Sequence, residues 1–311
     1  MALLTPGKVR RLRSLSDPED RFAVLAADHR DSLRVELDPE RPEDVAPEAL
    51  TSFKLDLVRG LAHLVTGVML DPVYSAAQAV VSGALPAGAG FMCALEAQGY
   101  GADPHDRRTV LLDDWSVEKA ARLGASAIKL LIFYSPDLGE ATEHQERLVE
   151  EVVADCAAHD LPLFLEPLPY DIAPDDHQQV VVETSRRLSR LGPDVLKQPF
   201  PVIGDDRGAW RDVCAALDEA SVVPWALLSG GDDYPVFVEQ LQIACEAGCS
   251  GFMVGRSAWR DALAAPVSER DAVIRDVVAP RFAELRGVVA AGRPWTARHQ
   301  LPQVDEEWYR S

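Results

Sequence analysis

At 311 residues with 50 acidic and 31 basic side chains, the chain carries a net charge of −19, which excludes nucleic acid as a partner because phosphate binding needs clustered cations. Five scattered cysteines without CxxC spacing read as reduced thiols, and no apolar stretch approaches eighteen residues. The N-terminus lacks the apolar core of a secretory signal, so a cytoplasmic protein with no membrane partner is expected.

In chain order, a first helix is expected around residues 8–15, plugging the lower end of the fold. Eight short apolar runs follow: FAVLAA (22–27), GVML (67–70), FMCAL (91–95), AIKLLIF (127–133), LPLFL (161–165), DVL (194–196), WALL (225–228) and GFMV (251–254). Their continuous apolarity suits strands buried on both faces of a parallel sheet. Between them lie helical stretches. Thr142-Glu143-His144-Gln145 reads as a capping box opening a helix to about His159. Gly124, Gly192 and Gly248 stand where a helix ends before a strand begins. Eight such βα units in this length imply a single-domain α/β protein, a (β/α)8 TIM barrel over residues 1–293, with an open doubly wound sheet as the rival. Residues 294–311 show no period and form a tail, expected on the surface or at a contact within a homo-oligomer.

Chemistry in such barrels belongs to the C-terminal ends of the strands. Those ends read Asp28-His29-Arg30, Asp71, Glu96, Lys129, Glu166, Lys197, Ser229-Gly230-Gly231 and Gly255-Arg256. One polar strand end is usually solvated or ion-paired, but a polar residue at nearly every strand end points to a site. Only five of the 31 basic residues are lysines, and Lys129 and Lys197 both abut apolar runs. A desolvated lysine can release its proton and attack a carbonyl, which arginine cannot do. Either could be the nucleophile, or either could be a structural lysine paired with Glu166 or Asp28. A cationic neighbour would favour the free amine. Glu166 is placed to shuttle protons, and Asp28 to hold a substrate hydroxyl. Ser229, Gly230, Gly231 and Gly255 let backbone N–H groups approach a phosphate, and Arg256 adds a bidentate charge. Arg30, Asp71, His29 and Tyr134 join the candidate substrate contacts. The seven histidines show no HxH or HExxH spacing, so no metal is expected.

VLAADHR, VMLDPVY, SAIKLLIFY, LFLEPLPYD, DVLKQPFP, LLSGG and GFMVGRSAW, in this order over roughly residues 20–290, resemble the tagatose 1,6-bisphosphate aldolase family, which includes the sulfofructose-phosphate aldolases. The resemblance implies a class I aldolase of carbohydrate metabolism that cleaves a ketose phosphate to dihydroxyacetone phosphate and a three-carbon aldehyde. It implies no cofactor beyond a covalent lysine iminium. It matches the Schiff-base lysine to Lys197, the glutamate to Glu166, the second lysine to Lys129 and the first-strand aspartate to Asp28. One departure stands out: Lys197 is followed by Gln198-Pro199, where the family commonly has Val-Glu. A transaldolase using the same iminium and a non-catalytic phosphosugar sensor remain the alternatives.

Overall fold

The computed structural model describes residues 2–98, 105–204 and 206–308, so the last three residues of the expected tail lie outside it. Eight parallel strands close into a barrel in sequence order. They are β1 (Phe22–Ala26), β2 (Gly67–Leu70), β3 (Gly90–Ala94), β4 (Ala127–Phe133), β5 (Leu163–Leu168), β6 (Val195–Gln198), β7 (Trp225–Leu228) and β8 (Gly251–Val254). Closure comes from β1 pairing with β8, Phe22 opposite Gly251 and Leu25 opposite Val254.

The helices are α1 (Pro6–Arg13), α2 (Asp31–Leu37), α3 (Pro47–Leu61), α4 (Ala76–Val81), α5 (Val117–Leu123), α6 (Glu140–Ala158), α7 (His177–Leu188), α8 (Arg207–Ala220), α9 (Tyr234–Ala247), α10 (Arg256–Ala264), α11 (Arg270–Val273) and α12 (Ala279–Val289). Gly124, Gly192 and Gly248 adopt the positive φ expected between a helix and the next strand. The capping box at Thr142 does not form. Helix α6 begins three residues earlier, after Gly139, and the Thr142 hydroxyl instead donates to Ser135 O and accepts from Leu138 N.

The strands alternate with period two, although their sequences hide it because both faces are buried. Residues such as Leu25, Leu70, Leu130, Leu165 and Leu196 face outward into one large cluster with the helices. Phe22, Val24, Met69, Met92, Phe164, Val195 and Met253 form a second cluster inside the barrel. Helix α1 and the turn after it seal that interior from below with Leu12 and Leu15, both fully buried. Thr5 caps α1 by accepting from Lys8 N, and Pro6 opens it with a preset φ. Gly90 is required there, because a Cβ would sit 2.1 Å from Ser14 O. Trp295, fully buried, joins the same floor and donates to Ser16 Oγ at 3.1 Å. Just beyond it, His299–Gln300 pairs in parallel with Ala2–Leu3.

Candidate active site

Above the apolar floor, the inward positions change character. Counting by twos from Val24, Met92, Ala127, Phe164 and Val195 reaches Asp28, Glu96, Lys129, Glu166 and Lys197. One layer of the barrel therefore holds three carboxylates and two ammonium groups, all with side chains 7% exposed or less. Lys129 and Glu166 lie within their strands rather than at the tips.

Lys129 Nζ is gripped from three sides, by Glu96 Oε1 at 2.7 Å, Asp28 Oδ2 at 2.9 Å and Glu166 Oε2 at 3.1 Å. Glu96 is fixed in turn, its Oε2 accepting from Leu131 N at 3.1 Å. Lys197 Nζ meets one carboxylate, Glu166 Oε2 at 2.8 Å, with Met69 Sδ 3.7 Å away. Burial alone would drive Lys129 toward neutrality, but Asp28, Glu166 and Glu96 outweigh it and hold the ammonium charged. Burial likewise opposes ionisation of Asp28 and Glu166, yet Lys129 and Lys197 pull both below the usual carboxylate range. Lys129 and Lys197 do not meet as bare like charges, because Glu166 Oε2 bridges them.

These five residues line a pocket of about 350 Å³ together with His29, Ser32, Gln98, Leu131, Phe133 and Arg256. The His29 ring stacks edge-on against Trp259, with centroids 5.4 Å apart. Burial pushes its pKa down to about 3 against the opposing pull of Asp28, so it is neutral. Gly255 abuts it closely: a Cβ there would lie 2.7 Å from His29 Cε1.

At the mouth, Arg256 opens α10 and reaches Glu36 Oε1 at 3.3 Å, while Arg260 Nε lies 3.5 Å from Glu36 Oε2. Gly231 sits below them, its Cβ position 3.6 to 3.7 Å from both guanidinium groups. Ser229 and Gly230 instead line a neighbouring cavity of about 430 Å³ with Phe200 and Trp210. Two anticipated substrate contacts are otherwise engaged. Asp71 is fully buried and accepts from Lys54, Ser75 Oγ and the backbone of Val73 and Tyr74, so its lone pairs are spent. Arg30 donates to the Glu96 carbonyl, and its backbone N–H is taken by Gln98. Tyr134 turns to the helix layer and donates to Glu146. Gln198 shares the outward parity of Leu196 and is fully buried away from the pocket, whereas Pro199, which stands where the family commonly has Glu, lines the neighbouring cavity with Ser229 and Gly230.

Sequence reasoning gave no role to Glu96, Lys54, Glu36 or Arg260. Glu96 and Lys54 carried a signal, as a polar strand end and as one of only five lysines.

The family described as DeoC/LacD family aldolase matches residues 22–261. The chain belongs to the DeoC/LacD aldolase family. It is an aldolase, a carbon–carbon lyase on a TIM barrel. Among its relatives, tagatose 1,6-diphosphate aldolase 1 of Enterococcus faecalis is 30% identical, over 84% of this chain and 86% of that one. The tagatose 1,6-diphosphate aldolase of Lactococcus lactis is 28% identical over 94% and 99% of the two chains. In fold, the DeoC/LacD barrel seen here superimposes on the fructose-bisphosphate aldolase of Plasmodium falciparum with a TM-score of 0.68, covering 93% of this chain and 97% of that one at 13% identity. Among the described residues, no helix is long and apolar enough to cross a membrane.

Proposed function

We propose that this chain is a class I ketose-phosphate aldolase that works through an iminium on Lys197, with tagatose 1,6-bisphosphate or a sulfofructose phosphate as substrate class. The observation that carries this is the unequal bonding of the two lysines. Lys129 is pinned by three carboxylates, whereas Lys197 shares one. Passing the Lys197 proton 2.8 Å to Glu166 frees the amine without changing the charge of the buried cluster. The amine adds to the C2 carbonyl, and Glu166 returns the proton to the departing hydroxyl, giving the iminium and water.

Asp28 is assigned to the C4 hydroxyl, beside Lys129. As it takes that proton, the C3–C4 bond breaks and its electron pair moves into the iminium, giving an enamine and the three-carbon aldehyde. Protonation at C3 and hydrolysis then release dihydroxyacetone phosphate and regenerate Lys197. The iminium serves as the electron sink that a metal would otherwise supply, so no cofactor is required. Arg256, with Gly231 beneath it and the start of α10 behind it, is assigned to the substrate phosphate. The tagatose bisphosphate assignment follows the names of the relatives, and the pocket volume falls in the range of small-molecule sites.

Purified protein treated with EDTA and offered a panel of ketose phosphates and sulfonates should release dihydroxyacetone phosphate with no acceptor aldehyde present. Release only when an acceptor is added would make it a transaldolase. Loss of activity that zinc restores would overturn the iminium mechanism.

A further inference from the structure

The closed end of the barrel, opposite the catalytic pocket, carries a groove of about 1080 Å³. Its wall includes Arg10, Arg11 and Arg13 of α1, Arg286 of α12, and His63 just after α3. Asp17 is the one carboxylate among its described lining residues. That inverts the character of a chain with 50 acidic and 31 basic residues.

Among the described residues, none of these arginines donates a hydrogen bond to a carboxylate, and Arg13 alone has a loose ion pair. Arg11 donates to Ala125 O at 2.6 Å and Arg286 to Leu64 O at 3.1 Å, both uncharged carbonyls. Arg13 Nε stands 3.9 Å from Asp20, beyond hydrogen-bond length. Arg10, Arg13, Arg286 and His63 are exposed. The segment Pro86-Ala87-Gly88-Ala89-Gly90 forms part of the wall, and nothing lies within 4 Å of a Cβ position at Gly88, so its backbone is open to a ligand. Basic residues ending α1 would by themselves serve the helix dipole. That does not account for Arg286 and His63, which two other elements bring to the same groove.

We propose that this groove binds a small molecule bearing an oligophosphate chain. Four guanidinium groups exceed what a single phosphate can neutralise, and each can hold phosphate oxygens bidentately. A long nucleic acid is a poor occupant, since a net charge of −19 repels it beyond the groove. The site lies at the other end of the barrel from Lys197 and Arg256, so it stands apart from the aldolase mechanism.

Calorimetric titration of the full chain with sodium tripolyphosphate at low ionic strength tests this. A saturable site that persists in Arg256→Ala is expected, and Arg10→Gln with Arg13→Gln should weaken it at least tenfold. Both positions are exposed, and an unchanged melting temperature will show that the double variant is folded. Lys197→Ala and Arg256→Ala should bind tripolyphosphate as the parent does. If ATP binds more tightly than tripolyphosphate, the groove also accepts a nucleoside; equal binding assigns it to the phosphate chain alone. The proposal fails if no saturable heat is seen or if the double variant binds equally well. It also fails if Arg256→Ala abolishes binding, or if orthophosphate binds as tightly as tripolyphosphate.

Discussion

Lys129 is bound into its layer by charge, and removing it should reveal how much the three carboxylates depend on it. In Lys129→Met, Asp28, Glu96 and Glu166 would remain buried with too little positive charge beside them. Breaking such a buried cluster from one side costs about 3–5 kcal/mol. The sign with pH follows from the acids. In the parent, Asp28 and Glu166 titrate below their ordinary values, so their contribution is present near neutrality and lost as pH falls. Without Lys129, burial raises those values, so the variant is penalised most when the acids are ionised. Urea titrations at pH 7 and pH 4.5 should therefore show the gap between variant and parent narrowing at the lower pH. A gap that is constant would mean these carboxylates are not what Lys129 compensates.

Arg256 is the other residue whose role can be read by substitution. It is 30% exposed and already shares Glu36 with Arg260, so the loss in Arg256→Ala is set at about 1–2 kcal/mol, or roughly ten-fold in KM. Glu36→Gln should move KM the other way, because the carboxylate competes with the phosphate for the same guanidinium groups. Steady-state kinetics on a phosphorylated substrate would remove Arg256 from the phosphate site if KM were unchanged. Glu96 shows why part of this site was hidden. It ends an apolar run like several other residues, and nothing in the sequence says that it lies beside Lys129 on the next strand. The register of β3 on β4, with Ala94 opposite Lys129, makes that pairing visible.

At the scale of elements, the strands were legible because short apolar runs between glycine-ended helices are the pattern of strands buried on both faces. Helix starts were less so. Thr142 has the right neighbours for a capping box, yet its hydroxyl is taken by the β4–α6 loop, and α6 starts from Gly139 with φ 54°. A local motif loses when a tertiary contact offers the same side chain better partners. The packing of α1 under the barrel gives a paired prediction. Gly90→Ala would place a methyl 2.1 Å from backbone Ser14 O, which must shift, at a cost of about 1–3 kcal/mol. Gly88→Ala, two residues away, meets nothing within 4 Å and should be close to neutral. Thermal melts of the two variants check the contrast, and equal melting temperatures would mean that α1 does not press on β3 as described.

For the whole molecule, the barrel turns five separate sequence positions into one buried layer of charge above an apolar floor. The family resemblance pointed to Asp28, Lys129, Glu166 and Lys197, and the structure brings all four within one pocket. Asp71 and Arg30 follow strands, and that position alone makes them candidate substrate contacts in the sequence. The Asp71 side chain is spent on Lys54, Ser75 and two backbone amides, and Arg30 gives one N–H to a backbone carbonyl, a distinction that strand position does not carry. Lys197, and not the tightly bound Lys129, is expected to form the covalent bond. Borohydride reduction in the presence of a ketose phosphate, followed by peptide mass mapping, tests it directly. A substrate-derived mass is expected on the peptide containing Lys197, abolished in Lys197→Ala and retained in part in Lys129→Ala. An adduct on the peptide containing Lys129, or none with any ketose phosphate, would contradict it.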